Sequence, residues 1–425
     1  MKRFLKFLCL ATVVITLAFG IYEFSNKYNL NLIYSNIEWS INIKDCIDAV
    51  SFDFDNEGNI YIAYKDYIKV IKDNKEEVLL KQDSFNIYDI ACYKGDIIIA
   101  TGNDILRYYK DDKKLIQLVE NMPNKGLNKE TKIIINNDDL YITIGSNTNS
   151  GVVEQKGGEV DKASFEWIST GVSYGNTKTS AFSEFGKIIN EGEKIKEEAL
   201  SNASILKYNL ISNEIITYST GLRNIEGLDF DSSGKMIAIV GGMEDSGVRP
   251  VKDDFDYIYE IKEKAWYGWP DFSGGDPIIS PRFADEDSKL SFVIANHPTE
   301  VTLGPMYQHT SVSSLRGLAI DDDGNFLVKD TVIFADSKKN IVYAKDKDGY
   351  VREIIALNDN CNIKKIKYYK SSIYILDNNI GCVYKVEVAN NNTGFNIPKF
   401  MLIFLINFLI IILICLLYKY KRSKK

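Results

Sequence analysis

Histidine is almost missing from this chain: its 425 residues hold two, His297 and His309. That excludes a multi-His metal centre and leaves few places for an imidazole base. Cysteine is sparse too. Six residues are too few for a disulfide-dense scaffold. No CxxC, CxxCH or His-Cys cluster is present to hold a thiol-ligated metal or a c-type haem. An excess of positive charge is also missing. Lys and Arg number 51 against 58 Asp and Glu, a net charge of −7, so the basic footprint of a nucleic-acid binder is absent and no nucleic acid is expected as a partner. What remains is an ordinary globular composition, 45% hydrophobic and 26% charged. The length suits two or three average domains, or one large propeller or barrel.

The two ends read differently from the middle. Lys2, Arg3 and Lys6 lead into an apolar run, Phe7 to Tyr22, interrupted only by Thr12 and Thr16. Residues 1–24 therefore read as a signal peptide or an N-terminal anchor, with Ala18-Phe19-Gly20 as a small-x-small cleavage site. Near the other end, Phe400 to Leu417 is apolar except for Asn407. At 1.5 Å per residue such a run crosses a bilayer as a helix, so 400–418 is expected to be a transmembrane helix. Lys419, Lys421, Arg422, Lys424 and Lys425 follow at once, and a positive cluster beside a span faces the cytoplasm. The expectation is a cell-membrane protein with its middle outside the cell and residues 419–425 as a cytoplasmic basic tail. Without these eight terminal cations the charge of −7 becomes −15, that of a soluble acidic ectodomain. Cys46, Cys92, Cys361 and Cys382 lie in that ectodomain, where disulfides are allowed, and four thiols permit three pairings.

Between residues 45 and 388 one strand-turn-strand pattern recurs. Its copies are AVSFDFDNEGNIYIAY (49–64), DIACYKGDIIIATG (89–102), KIIINNDDLYITIG (132–145), GLDFDSSGKMIAIVG (227–241), GLAIDDDGNFLVKD (317–330) and KIKYYKSSIYILDN (365–378). Three carry Asp-x-x-Gly turns, Asp55 to Gly58, Asp231 to Gly234 and Asp321 to Gly324, in which Gly supplies the positive φ of a tight hairpin and Asp caps it. The flanking β-branched and aromatic residues suit a pleated surface. YIKVIKD (67–73) and ILRYYKD (105–111) read as outer strands of a four-stranded blade. Six copies predict an all-β, six-bladed propeller over 45–388, with a β-sandwich as the competing fold. Copies are spaced by roughly 40 to 50 residues except for two gaps of about 90, which must hold long insertions. The Lys- and Glu-rich stretch 183–202 is expected to be a helical, solvated excursion.

An ordered set of motifs then resembles the glucose/sorbosone dehydrogenase family of six-bladed propellers. The residues that carry it are LYITIGSNTNSGVV (140–153), TSAFSEFG (179–186), SNASILKYNL (201–210), GLRNIEGLDFD (221–231), SGVRPVKDDFDYIYEI (246–261) and WYGWPDFSGGDP (266–277), with weaker matches at 308–321 and 373–386. The resemblance implies pyrroloquinoline quinone (PQQ) and Ca²⁺ bound at the open face, and oxidation of a sugar C1 or similar alcohol. In the family a His takes the proton as hydride passes to the quinone, while Ca²⁺ polarises a quinone carbonyl.

Carried over residue by residue, Arg223 and Asn224 match the family's Arg-Asn pair at the cofactor. An Arg there can pair with a carboxylate or quinone oxygen. Gly241 and Gly242 follow the strand that brings backbone carbonyls to Ca²⁺, a hard cation that takes oxygen ligands. Arg249 with Asp253, Asp254 and Asp256 forms a charged loop and is a further cofactor-binding candidate. Trp266, Tyr267 and Trp269 offer faces for a sugar or flat ring, or pack between blades.

The departure from the family concerns the base. The family's catalytic His would fall near Leu127 or Asn128 in NKGLNKETKIIINNDDLY (124–141), and no His is there. Lys125, Lys129 and Glu130 are nearby substitutes in principle. A missing base removes a factor of roughly 100 to 10,000 in rate. Two readings follow. One is a membrane-anchored dehydrogenase that uses PQQ and calcium on a small sugar or alcohol. The other is a catalytically inactive propeller that binds a glycan or a protein partner. A Ca²⁺-dependent hydrolase propeller is a weaker third, for want of carboxylate-plus-His clusters.

Overall fold

The computed structural model describes residues 27–73, 75–283 and 289–389, with 14, 15 and 17 besides. The expected N-terminal anchor, the run 400–418 and the basic tail lie essentially outside the described residues. Among the described residues no helix is long and apolar enough to cross a membrane.

Residues Leu30–Val388 form one compact unit. Among the described residues it contains six antiparallel sheets of four or five strands, besides three two-stranded ones, and these six decide for the six-bladed propeller over the sandwich. Blade 1 is Ser51–Phe54, Ile60–Ala63, Tyr67–Lys72 and Lys75–Lys81; blade 2 is Asp89–Tyr93, Asp96–Ala100, Ile105–Tyr109 and Lys114–Val119. Blade 3 is Ile133–Asn136, Asp139–Ile144, Ser204–Asn209 and Ile215–Thr220; blade 4 is Ile225–Phe230, Met236–Val240, Tyr257–Ile261 and Tyr307–Gln308. Blade 5 is Leu315–Asp321, Thr331–Asp336, Ile341–Lys345 and Val351–Leu357, with Leu30–Leu32 added at its outer edge. Blade 6 is Ile363–Tyr369, Ser372–Asp377, Cys382–Val388 and, outermost, Ile37–Ile43. The first strands of successive blades touch one another around the axis.

The second strand of each blade shows why these residues form this fold. Segments such as IYIA, MIAIV, TVIFAD and SIYILD are buried at every position, because neighbouring blades cover both faces. Such strands need continuous apolar runs rather than alternation. Outer strands such as Lys75–Lys81 face water and are largely polar. The Asp-x-x-Gly turns form as expected: Gly58, Gly234 and Gly324 have φ of 93°, 81° and 75°. Asp231 Oδ1 accepts the amides of Ser233 and Lys235, and Asp55 Oδ1 those of Glu57 and Asn59.

The ring begins at Leu30, upstream of the expected residue 45. Ile37–Ile43 supplies the last strand of blade 6 and pairs with Cys382–Val388 from Ile37↔Val388 to Ile43↔Val383. This closure joins the two ends of the ring, so a repeat search within one strand-turn-strand copy does not reveal it. A second correction concerns blade 5. NFLVKD does not form its second strand, because Asp321 Oδ2 accepts the amides of Phe326 and Leu327 and holds them in a turn. The strand follows at Thr331–Asp336.

The two long gaps hold insertions that fold together. Val152, Trp167, Phe182, Trp266, Trp269, Phe272, Phe283 and Ile294 share one hydrophobic cluster that draws on both. Segment 183–202 contains no helix. It runs through turns into a two-residue strand, Lys194–Ile195, paired with Trp167–Ile168. Gly186 and Gly192 adopt φ of 78° and 81°, which breaks a helix, and Ile195 and Leu200 pack against hydrophobic clusters from this irregular backbone. None of the four described cysteines is in a disulfide. Cys46 and Cys382 are neighbours at the ring closure, where the Cys46 amide donates to Gly381 O at 3.0 Å. Burial, with Cys382 alongside, pushes the Cys46 thiol up to about 12.

Candidate functional site

A polar channel of about 130 Å³ runs down the axis, lined by the first strands. Its carboxylates act as staples between blades. Asp53 Oδ2 accepts the Cys92 amide at 2.8 Å, Asp89 Oδ2 that of Ile133 at 3.0 Å, and Asp229 Oδ2 that of Ile320 at 2.9 Å. In each case an Asp on one first strand holds the first strand of the next blade. Blade 6 returns the contact with cations. Lys367 pairs with Asp53, and Lys365 Nζ lies 2.7 Å from Asp89 Oδ1. Lys365 and Lys132 hold Asp89 below the usual carboxylate range despite its burial, whereas burial pushes Asp229 up to about 6.

The channel opens into a larger cleft of about 760 Å³ beside blades 6, 1 and 2, lined by Tyr64, Lys65, Tyr88, Lys129, Glu130 and Lys364 among others. Tyr88 and Lys364 line both spaces. At this mouth Glu130 lies 3.4 Å from Lys132 Nζ and 3.8 Å from Lys364 Nζ. Arg316 pairs with Glu226, whose Oε1 also accepts Asn224 Nδ2 at 2.5 Å. Lys132, with Lys364 and Arg316 nearby, holds the Glu130 carboxyl below its ordinary range. Burial lowers Lys364, and repulsion from Lys132, Arg316 and Lys65 adds to it. Burial likewise lowers Arg316.

Of the residues expected from the resemblance, Asn224 reaches this mouth. Asp253 is exposed on its loop, and the others are built into the scaffold. Arg223 is 4% exposed, and its Nε and Nη2 donate to Asn149 O and Oδ1, both at 3.1 Å. Arg249 is 1% exposed, donating to Ser150 O, Pro270 O, Ser291 O and Asp271 Oδ1 at 2.8 to 3.0 Å. The Gly241 amide donates to Asn224 O at 2.8 Å. A Cβ on Gly242 would stand 2.1 Å from Phe255 O, so close packing accounts for that glycine. Asp254 and Asp256 are buried acceptors: Asp254 takes the Met243 amide and the Tyr257 hydroxyl, and Asp256 the Ser314 and Leu315 amides. Trp266, Tyr267 and Trp269 are all buried and present no free face.

Both histidines are held by aspartates. His297 Nε2 lies 3.0 Å from Asp271 Oδ2, and its ring stacks on Trp266. His309 Nε2 lies 3.0 Å from Asp336 Oδ2, with its other nitrogen 3.1 Å from the Tyr307 hydroxyl. At the slot of the family base, Leu127 is 56% exposed and Asn128 Nδ2 donates to Ser146 Oγ. Among the described residues no group of three or more His, Cys, Asp or Glu could hold a metal ion.

Sequence reasoning named Glu130 but missed Tyr88, Lys132, Glu226, Arg316 and Lys364 as a set. A signal was present. Tyr88, Glu226, Arg316 and Lys364 each stand immediately before a copy of the repeated motif. In a radial array that position meets its counterparts at the axis.

With this geometry established, comparison with known proteins adds the fold class. No family profile and no curated protein matches the chain. Solved structures do. The holo PQQ domain of pyranose dehydrogenase from Coprinopsis cinerea matches with a TM-score of 0.57 at 11% identity, over 85% of this chain and 97% of that one. The calcium structure of a Trichoderma reesei carbohydrate-active enzyme of family AA12 matches at 0.58 and 12%, over 85% and 97%. The PQQ-bound aldose sugar dehydrogenase of Streptomyces coelicolor matches at 0.53 and 12%, over 84% and 99%. Over about 85% of its length the chain is thus structurally similar to the six-bladed propellers of PQQ-dependent sugar dehydrogenases, at low sequence identity.

Proposed function

We propose that the chain is a surface propeller that binds a sugar-like small molecule at its channel mouth, on a dehydrogenase-type scaffold that does not transfer hydride by the family's route. One observation carries this: Glu130 and Lys364 line an open cleft, with Lys132 on the adjoining channel and Arg316 near enough to act on Glu130, while both imidazoles are tied to aspartates. A cleft of this volume suits a small ligand. The sugar dehydrogenase names of the structural neighbours support a sugar as the ligand class.

PQQ with calcium is the cofactor pair the resemblance implies. The residues named for it do not make its cradle. Arg223 and Arg249 give their guanidinium groups to protein acceptors, and Gly242 is closed in by Phe255 and Asp254. No step is therefore routed through that cofactor. The competing reading, oxidation of a sugar or alcohol with PQQ and calcium, is favoured by the neighbours' names. Adding both to the full-length protein with glucose and a dye acceptor tests the two together. No dye reduction, with sugar binding measured by calorimetry, supports the first; turnover sinks it. The apolar run with its basic flank supports a cell-membrane location, propeller outside and tail in the cytoplasm. Protease access to the propeller on intact cells tests that placement.

A further inference from the structure

The mouth contains more positive charge than a neutral sugar needs. Lys65, Lys129 and Lys364 line the cleft and Lys132 the adjoining channel, with Arg316 close enough to act on Glu130 and Lys364, in a protein whose net charge is −7. The carboxylates facing them are Glu130 and Glu226, with Asp48 and Asp66 on the cleft wall, where Asp66 is 3.6 Å from Lys81, and Asp53, Asp89 and Asp229 in the channel below, where Lys367 engages Asp53, Lys365 engages Asp89 and Lys132 also acts on Asp89. Glu226 is engaged by Arg316 and Asn224. Glu130 stands between Lys132 and Lys364 at 3.4 and 3.8 Å, longer than a tight charged hydrogen bond. Lys132 and Lys364 are mostly enclosed, with side chains 13% and 27% exposed, so water solvates them poorly. Like charges held together at the floor of a cleft form a receptor for an anion. The cleft continues outward past Lys65 to Tyr64, which stacks on Tyr67 at 4.3 Å and gives a ring wall. The Tyr88 hydroxyl, hydrogen-bonded to Asn86, and the half-exposed Glu130 carboxylate supply the neutral and acceptor groups that read hydroxyls.

We infer that the ligand of this mouth is a sugar acid, its carboxylate bound by Lys132 and Lys364 and its hydroxyls read by Glu130 and Tyr88. The inference rests on the proposed binding function and narrows its ligand class. Arg316, held by Glu226, keeps that glutamate from competing for the two lysines.

Calorimetric titration of the full-length protein with glucuronate, glucose, acetate and inorganic phosphate tests it. Glucuronate is expected to bind about tenfold tighter than glucose at low ionic strength, with the advantage shrinking as salt is added. Lys364→Gln should remove that preference by weakening glucuronate binding about tenfold more than glucose binding, and Lys364→Arg should restore most of it. An unchanged melting temperature in each variant shows that folding is intact. Equal binding of glucose and glucuronate, or a Lys364→Gln variant that keeps the preference, overturns the sugar-acid assignment and leaves sugar binding standing. Acetate or phosphate binding as tightly as glucuronate also overturns it, since the mouth would then read charge alone. Failure of every sugar and every anion to bind sinks the proposed function itself.

Discussion

Arg249 Nη2 lies 2.8 Å from Asp271 Oδ1, and neither side chain has any exposure. Asp271 also accepts the Val293 and Ile294 amides and faces His297. Ser150, Pro270 and Ser291 carbonyls complete the surroundings of Arg249. Both partners of the ion pair belong to the second insertion, and the bond from Arg249 to Ser150 O ties that insertion to the first. Breaking a buried pair by removing one partner leaves an uncompensated charge and costs about 3–5 kcal/mol. Arg249→Met is expected to shift the fluorescence-monitored denaturant transition to lower concentration, since Trp167, Trp266 and Trp269 sit in that cluster. An unchanged midpoint would show that the insertions do not depend on this pair.

Gly227 packs where two first strands meet. A Cβ there would stand 2.6 Å from the Leu318 amide nitrogen, which is backbone and cannot yield cheaply. Gly227→Ala is expected to cost about 1–3 kcal/mol by forcing blades 4 and 5 apart. Gly234, at an open turn with φ of 81°, meets nothing within 4 Å, so Gly234→Asn should cost much less. Comparison of the two melting temperatures checks the difference.

Stability should fall as pH rises from about 4 to about 7. Burial pushes Asp161 up to about 7 and Asp229 up to about 6, above the ordinary 3.8 of an unfolded aspartate. Between those values the folded chain holds protons that the unfolded chain has released, so raising pH favours unfolding. The expected outcome is a higher melting temperature at pH 5.5 than at pH 8. Asp161→Asn, which keeps an acceptor for Thr148, should flatten the upper part of that profile. A wild-type melting temperature that climbs steadily from pH 5.5 to 8 would contradict it.

Restoring the family's base should not restore chemistry. Leu127 is exposed in the loop that carries the missing His, so Leu127→His is tolerable structurally. With Arg223 and Arg249 held by the scaffold, dye reduction by the variant with PQQ, calcium and glucose is expected to stay at background. Turnover above background would show a decayed enzyme one substitution from activity and would overturn the proposed function.

Much of the propeller was legible because each blade is a local unit. A strand of Ile, Val and Tyr, an Asp-x-x-Gly turn and a second apolar strand lie within about twenty residues of one another, as in 49–64 and 227–241. The closure by Ile37–Ile43 was not legible, since its partner Cys382–Val388 lies at the far end of the chain. The helical reading of 183–202 failed because Gly186 and Gly192 take left-handed backbone conformations that interrupt a helix. The motifs carrying the resemblance proved to be structural. Asn149 receives bonds from Arg223, Glu244 and Trp269, and Asn202 ties Pro123 to Gly145.

By itself the sequence determined the repeat, the number of blades, the acidic middle and the scarcity of histidine. Each is a matter of composition or of neighbours along the chain. Only the tertiary structure decided which charged groups face a cavity and which are buried in the scaffold. Arg223 and Lys364 are both cations near the start of a first strand, yet one is enclosed by Asn149 and the other lines the cleft. Burial depends on what the insertions cover, and that contact is made between segments more than a hundred residues apart, as in the bond from Thr170 to Phe292 O.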